Sequence, residues 1–167
     1  DISTYDFNKL ILDNNYIIKN NTNSQINNNK YFHNQCLYQA LILGCQDYFK
    51  KNNIQAGAII GLSGGIDSAL TTALATKALG KENITAILMP SKYTSLLSLE
   101  CALAQIKTLG INYKNISIEP IIKSLSNSLS ESIKIYPKSE ELTMQNLQAR
   151  ARSIILMAES NLSGKLV

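Results

Sequence analysis

Apolar positions along this chain change period several times, and the changes outline its elements. Between residues 31 and 51, Leu37, Leu41, Gly44 and Tyr48 recur at helical spacing with Ala40 and Cys45 beside them, which predicts an amphipathic helix. A short apolar run at 58–62 predicts a buried strand. A glycine-rich turn follows, and then a helix over 67–79 that Gly80 closes. Residues 84–89 predict a second buried strand, with Pro90-Ser91-Lys92-Tyr93-Thr94 as a loop at its C-terminal end. A helix over about 98–109 stops at Gly110, and 113–118 predicts a third strand. Pro120 suits the first turn of a helix that runs to about residue 131. After a loop at 136–139, a long helix over about 140–162 ends at Gly164, and Lys165-Leu166-Val167 predicts the start of a fourth strand. Apolar strands alternating with helices predict an α/β fold: a doubly wound parallel sheet with helices on both faces. Such sheets bind ligands beyond the C-terminal ends of their strands. The glycine turn and the Pro90 loop both lie on that edge.

Residues 1–30 read differently. The stretch 20–30 is polar and Asn-rich, the composition of a linker. Before it, Lys9-Leu10-Ile11-Leu12 and Tyr16-Ile17-Ile18-Lys19 flank Asp13-Asn14-Asn15 in the pattern of a small hairpin, one that needs a surface to lie on. The expected organisation is therefore an N-terminal segment with linker, 1–30, and one α/β domain, 31–167. The chain opens on Asp1 and stops where a strand begins. That predicts either truncation at the C-terminus or a short edge strand closing the sheet, in a chain processed, trimmed or cut from something longer.

Composition narrows the classes of function. With 167 residues, 45% hydrophobic and 17% charged, the chain suits one domain with a real core. The net charge of +4 comes from scattered Lys and Arg, without a basic run, so nucleic acid is not an expected partner. The weak positive balance does suit an anionic nucleotide. Cys36, Cys45 and Cys101 are odd in number and form no C-x-x-C, which predicts reduced, mostly buried thiols in a cytoplasmic protein. His33 stands alone, so no histidine-based triad or His-rich zinc site can be assembled within the chain. No apolar run approaches the length of a membrane span.

The chemistry concentrates at the first strand–helix turn, Ser63-Gly64-Gly65-Ile66-Asp67-Ser68. A strand turning sharply into a helix presents unpaired N–H groups and the positive end of the helix dipole to an anion. Gly64 and Gly65 let the backbone approach a phosphate closely, and Ser63 and Ser68 add hydroxyl donors. Asp67 beside bound phosphates makes chemical sense when a hard cation is shared between them. The spacing is neither the Walker pattern nor Gly-x-Gly-x-x-Gly. A plain structural turn is the bland alternative. A second candidate lies early in the last helix, where Asn146 and Arg150 share one face and Gln148 and Arg152 another. Asn and Arg on one face can receive an anionic, hydrogen-bonding ligand; on spacing alone, a solvated helix surface is the more economical reading.

The turn resembles the pyrophosphate loop of the N-type ATP pyrophosphatases, which cut ATP between its α and β phosphates. Several further stretches occur in order with it: Leu88-Met89-Pro90-Ser91-x-Tyr93-Thr94-Ser95, Leu109-Gly110-Ile111 and Asn146-Leu147-Gln148-Ala149-Arg150-Ala151-Arg152. Together, over about residues 36–167, they are similar to the synthetase domain of NAD synthetases, especially the glutamine-dependent form. The helix Tyr38-Gln39-Ala40-Leu41-Ile42-Leu43-Gly44-Cys45-Gln46-Asp47-Tyr48 shares that likeness. The resemblance implies ATP-dependent amidation of deamido-NAD to NAD through an adenylated intermediate, with release of pyrophosphate and AMP, and ammonia or glutamine as nitrogen source. It implies that Gly61, Leu62, Ser63, Gly64, Gly65, Ile66, Asp67 and Ser68 hold the ATP phosphates, that Asp67 helps hold Mg²⁺, and that Met89 lies near the adenine. Asn146 matches a position that contacts deamido-NAD, with Arg150 a candidate nearby. A homodimer and an upstream or separate glutaminase domain are implied as well. No catalytic acid–base residue is assigned, because the chemistry asks for charge neutralisation and positioning of two anions.

The chain also departs from the family pattern. Cys101 stands where the family usually has Asp, Gln145 where it has Glu, and Glu141 where it has Asp. The family's next motif, of Thr-Gly-Asn-Lys-Ser-Glu type, would begin after Val167. The rival readings are an inactive or partial nucleotide-binding remnant and another pyrophosphatase-loop ligase such as a GMP synthetase-like enzyme. The 146–152 motif argues against the second of these.

Overall fold

The structure is a computed structural model that describes residues 25–167, with side chains from Phe32 onward. The expected hairpin at 9–19 and the first half of the expected linker lie outside the described residues. The chain divides into two units, Asp1–Cys36 and Leu37–Val167. Helix α1, Gln25–Lys51, starts within the stretch read as linker, so residues 25–30 are helical instead. Once a turn is nucleated, each further helical residue adds a hydrogen bond, and polar Asn is no barrier to that propagation.

The unit Leu37–Val167 follows the strand–helix alternation of the sequence. Strand β1, Ala58–Gly61, leads through the glycine turn into α2, Ile66–Leu79. A short 3-10 turn, Lys81–Asn83, leads into β2, Ile84–Leu88. Helix α3, Leu96–Leu109, is capped by Ser95, whose side chain accepts the Ser98 N–H, and it ends at Gly110 in the left-handed conformation. Strand β3, Asn112–Asn115, precedes α4, Glu119–Ser128, and α5, Ser130–Ile135. Helix α6, Glu140–Ser163, closes on Gly164. The single helix expected over 120–131 is thus two helices, parted at Leu129, where φ −98° and ψ 6° leave the α-helical range.

The sheet is parallel, in the order β1-β2-β3. Ala58 pairs with Ile84 and Gly61 with Ile87; Thr85 pairs with Asn112 and Leu88 with Asn115. The expected fourth strand is a single parallel bridge between Ala58 and Leu166, on the side of β1 away from β2. It is held by Ile59 N–H to Leu166 O at 2.7 Å and Leu166 N–H to Gly57 O at 3.0 Å. Lys165 Nζ adds a bond to Thr85 Oγ1 at 2.8 Å.

Alternation along β1 and β2 divides the core into two layers. Ala58, Leu62, Ile84, Ala86 and Leu88 face Phe49 of α1, Ala102 and Ile106 of α3, and Ile111. Ile59 and Ile87 face the opposite way, onto Ile118, Ile122 of α4, and Ala151 and Ile155 of α6. Helices therefore cover both faces, as the apolar strands predicted. β3 is the exception. All four of its residues are exposed, and the buried residue of the stretch read as a strand at 113–118 is Ile118, which lies beyond it. An edge strand needs only its backbone pairing to β2, so its polar residues face water. Helix α1 also presents a different face from the one read in the sequence. Ile42 and Phe49 are buried with Cys45 packed partly beside them, whereas Leu37, Leu41 and Tyr48 are exposed. The helix is apolar on more than one side, and spacing alone does not say which stripe meets the sheet.

Candidate functional site

The C-terminal ends of β1 and β2 open onto one cavity of about 160 Å³. Gly61, Leu62 and Ser63 line it from β1; Leu88, Met89, Pro90 and Thr94 line it from β2 and the loop beyond; Ser98, Leu99 and Ala102 come from α3, and Arg152 from α6. Arg152 is the one charged side chain among them. The cavity falls at the C-terminal ends of the strands, the edge where doubly wound sheets bind ligands; α2 after β1 and α3 after β2 both pack on the Ala86 face, and α6 brings Arg152 in from the other.

The glycine turn is fixed from within by its two serines. Ser63 Oγ lies 3.0 Å from Ser68 Oγ and accepts the Gly65 N–H at 3.2 Å. Ser68 Oγ donates to Gly65 O at 3.0 Å and accepts the Ser63 N–H at 3.2 Å. Gly64 has φ +82°, the left-handed region that favours glycine, and a Cβ built on it would lie 2.0 Å from the Ser98 carbonyl oxygen. The turn is thus pressed against the first turn of α3. Gln105 Nε2 ties the two helices further along, donating to Ala69 O at 2.7 Å. Gly61 abuts Met89 and Leu156: a Cβ there would meet Met89 Cε at 3.0 Å.

Helix α2 starts after Gly65, its N-cap, with no side-chain cap on its first turn. Its leading N–H groups remain available to an anion, and Asp67 stands in that first turn. Asp67 is exposed, and among the described residues no group of three His, Cys, Asp or Glu could hold a metal ion together. The donor set fits a Mg²⁺ that takes one carboxylate from the protein and the rest of its oxygens from phosphates and water. Ile66, beside Asp67, is 80% exposed.

The structure brings Gly61, Leu62, Ser63 and Met89 to the cavity and sets the rest of the 63–68 turn beside it. It does not bring Asn146 or Arg150 there. Both are exposed, on an earlier part of α6, and Arg152 reaches the cavity in their place. The sequence did carry a signal for Arg152, since Gln148 and Arg152 share a face distinct from that of Asn146 and Arg150. Ser98 had no such signal: its part is a backbone carbonyl touching Gly64, which side-chain chemistry does not announce. Cys101, on the same helix, is exposed, and Cys36 and Cys45 are only half-buried, so the thiols are not mostly buried as expected.

The NAD synthase family model matches residues 37–167. The chain belongs to the NAD synthase family. The chain is 47% identical over 131 residues to a glutamine-dependent NAD(+) synthetase of Synechocystis sp., covering 78% of this chain and 23% of the relative. A solved glutamine-dependent NAD+ synthetase of Acinetobacter baumannii in complex with adenosine diphosphate superposes with TM-score 0.72 at 41% identity, covering 77% of this chain and 24% of that one. An NH3-dependent NAD synthetase of Campylobacter jejuni superposes with TM-score 0.67 at 34% identity, covering 78% of this chain and 53% of that one. The chain spans about a quarter of the length of the glutamine-dependent curated relatives it matches.

Proposed function

We propose that this chain binds ATP at the 63–68 turn and takes part in the ATP-dependent amidation of deamido-NAD to NAD, with release of AMP and pyrophosphate. One observation carries the reading: the serine-laced glycine turn, the uncapped start of α2 and the single cation Arg152 converge on one cavity at the C-terminal ends of β1 and β2. The uncapped N–H groups that lead α2 receive the β and γ phosphates, and Arg152 offsets negative charge as pyrophosphate departs. Met89, packed against Gly61, forms the wall for the adenine. Asp67 would hold Mg²⁺, which when bound neutralises phosphate charge. The turn orients the α-phosphate toward the carboxylate of deamido-NAD, and the deamido-NAD site is assigned to the exposed face of α6 that carries Asn146 and Arg150. Relatives of both the glutamine-dependent and the NH3-dependent kind leave ammonia and glutamine as alternative nitrogen sources.

The chain is further read as one partner of a homodimer. Leu37, Leu41 and Tyr48 on α1 and Leu142, Ile154 and Met157 on α6 are large apolar side chains exposed to water, which support an interface along these helices. A cytoplasmic setting is supported by free Cys36, Cys45 and Cys101 and by the absence, among the described residues, of any helix long and apolar enough to cross a membrane. Titration calorimetry of Mg·ATP against the chain tests the nucleotide reading, and no binding at millimolar ATP would overturn it. An assay of deamido-NAD, ATP and ammonium tests the reaction, where AMP and NAD should appear together in equal amounts.

A further inference from the structure

We propose that Glu119 is a positioning residue for the adenine side of the nucleotide site, an inference that rests on the ATP-binding reading above. The loop that follows β2 supplies Pro90 and Thr94 to the cavity wall. Inside the loop, Thr94 N–H bonds to Ser91 O at 2.9 Å, Ser91 N–H to Thr94 Oγ1 at 2.9 Å, and Tyr93 N–H to Ser91 Oγ at 3.3 Å. These bonds make the loop a compact piece but do not fix where it stands.

Its position comes from the segment between β3 and α4. At the loop's start, Pro90 O accepts the Ile118 N–H at 3.2 Å and the Ser117 hydroxyl at 3.4 Å. At its tip, Glu119 Oε1 accepts the Lys92 N–H at 2.5 Å across 27 residues of sequence. Among the described residues the hydrogen bonds show no other side chain from outside the loop at that tip. Lys92 meets Glu119 through its backbone, while its ammonium lies 4.9 Å from the Tyr93 ring centroid. Glu119 is itself set by its own N–H, which donates to Ser117 Oγ at 3.2 Å, so one short motif grips the loop at both ends. Hydrogen bonds to an ionised acceptor are stronger than neutral ones. Release of the tip would let Thr94 swing from the cavity wall, while the 63–68 turn, held by its own serines, stays in place.

The test compares Glu119→Ala and Glu119→Gln with the parent chain by calorimetric titration of ATP, AMP and inorganic pyrophosphate, together with amide exchange at Lys92 and thermal melting. Glu119→Ala should speed exchange at Lys92 and weaken ATP and AMP by about tenfold, the scale of one lost bond to a charged group. Pyrophosphate should bind as before. Glu119→Gln keeps an acceptor oxygen and should restore ATP and AMP binding to within about twofold. ATP binding unchanged in Glu119→Ala, equal weakening of all three ligands, or Gln failing as Ala does would each overturn the proposal and leave the nucleotide reading standing. A parent chain that binds none of the three would overturn the nucleotide reading, and this proposal with it.

Discussion

The Cα of Gly64 lies so close to the Ser98 carbonyl that a Cβ would stand 2.0 Å from its oxygen. The neighbouring Gly65 has no such constraint. Its nearest atom would be Ser63 Oγ at 3.4 Å, and its backbone is extended. Gly64→Ala must therefore displace the turn from α3 or force the left-handed backbone on an alanine, at a cost of about 1–3 kcal/mol. It should lower the melting temperature and remove ATP binding. Gly65→Ala should do much less to stability, and equal melting temperatures for the two variants would refute the assigned close approach.

Asp67 makes no direct phosphate contact in the proposed site, so its effect should depend on the cation. Asp67→Asn should weaken Mg·ATP binding while leaving metal-free ATP almost unchanged. Calorimetry with and without Mg²⁺ decides this, and equal weakening in both would remove Asp67 from the metal site.

Arg152 and Arg150 stand two residues apart on α6, yet only Arg152 lines the cavity. Arg152→Ala should weaken ATP and pyrophosphate by roughly tenfold, the scale of a lost charge-assisted contact to phosphate. Arg150→Ala should spare both ligands and impair deamido-NAD binding. Fluorescence or calorimetric titrations of the three ligands separate the cases, and an Arg150→Ala chain that loses ATP would reverse the assignment.

Much of this arrangement was legible in the sequence, because the period of apolar residues fixes which strands are buried. Ile84 and Ile87 are completely buried on opposite faces of β2, as a two-sided strand requires. The glycines that end α2, α3 and α6 stood where the pattern stopped. What escaped was decided by tertiary partners. The third strand was expected at 113–118 and stands at Asn112–Asn115, but its exposure was not foreseen, because it comes from pairing with β2 at the edge and not from an apolar pattern. The buried face of α1 depends on where the sheet lies, and several of its faces are apolar. The 63–68 turn was found because its chemistry is local. Arg152 was not singled out because its distance from Ser63 is set by the docking of α6 onto Ile59 and Ile87.

The thiols should report the packing of α1 and α3. Burial pushes the Cys45 thiol up, so less of it is thiolate at neutral pH, whereas Cys101 is exposed on α3. Iodoacetamide at pH 8 should label Cys101 well before Cys45, as read by peptide mass spectrometry. Faster labelling of Cys45 would show that α1 does not pack against the sheet as described.

The proposed interface has a direct measurement. Sedimentation at tens of micromolar, on the order of ordinary assay concentrations for such interfaces, should show a dimer, and Leu41→Glu should shift it to monomer without loss of ATP binding. A monomeric parent chain would count against the interface.

The parallel bridge between Ala58 and Leu166 joins positions near the two ends of the Leu37–Val167 unit. The serine turn belongs to the first strand–helix unit and Arg152 to the last helix, so the two sides of the cavity meet only when α6 docks on Ile59 and Ile87 and the chain returns to the free flank of β1. Loosening that return would open the cavity without touching the turn itself.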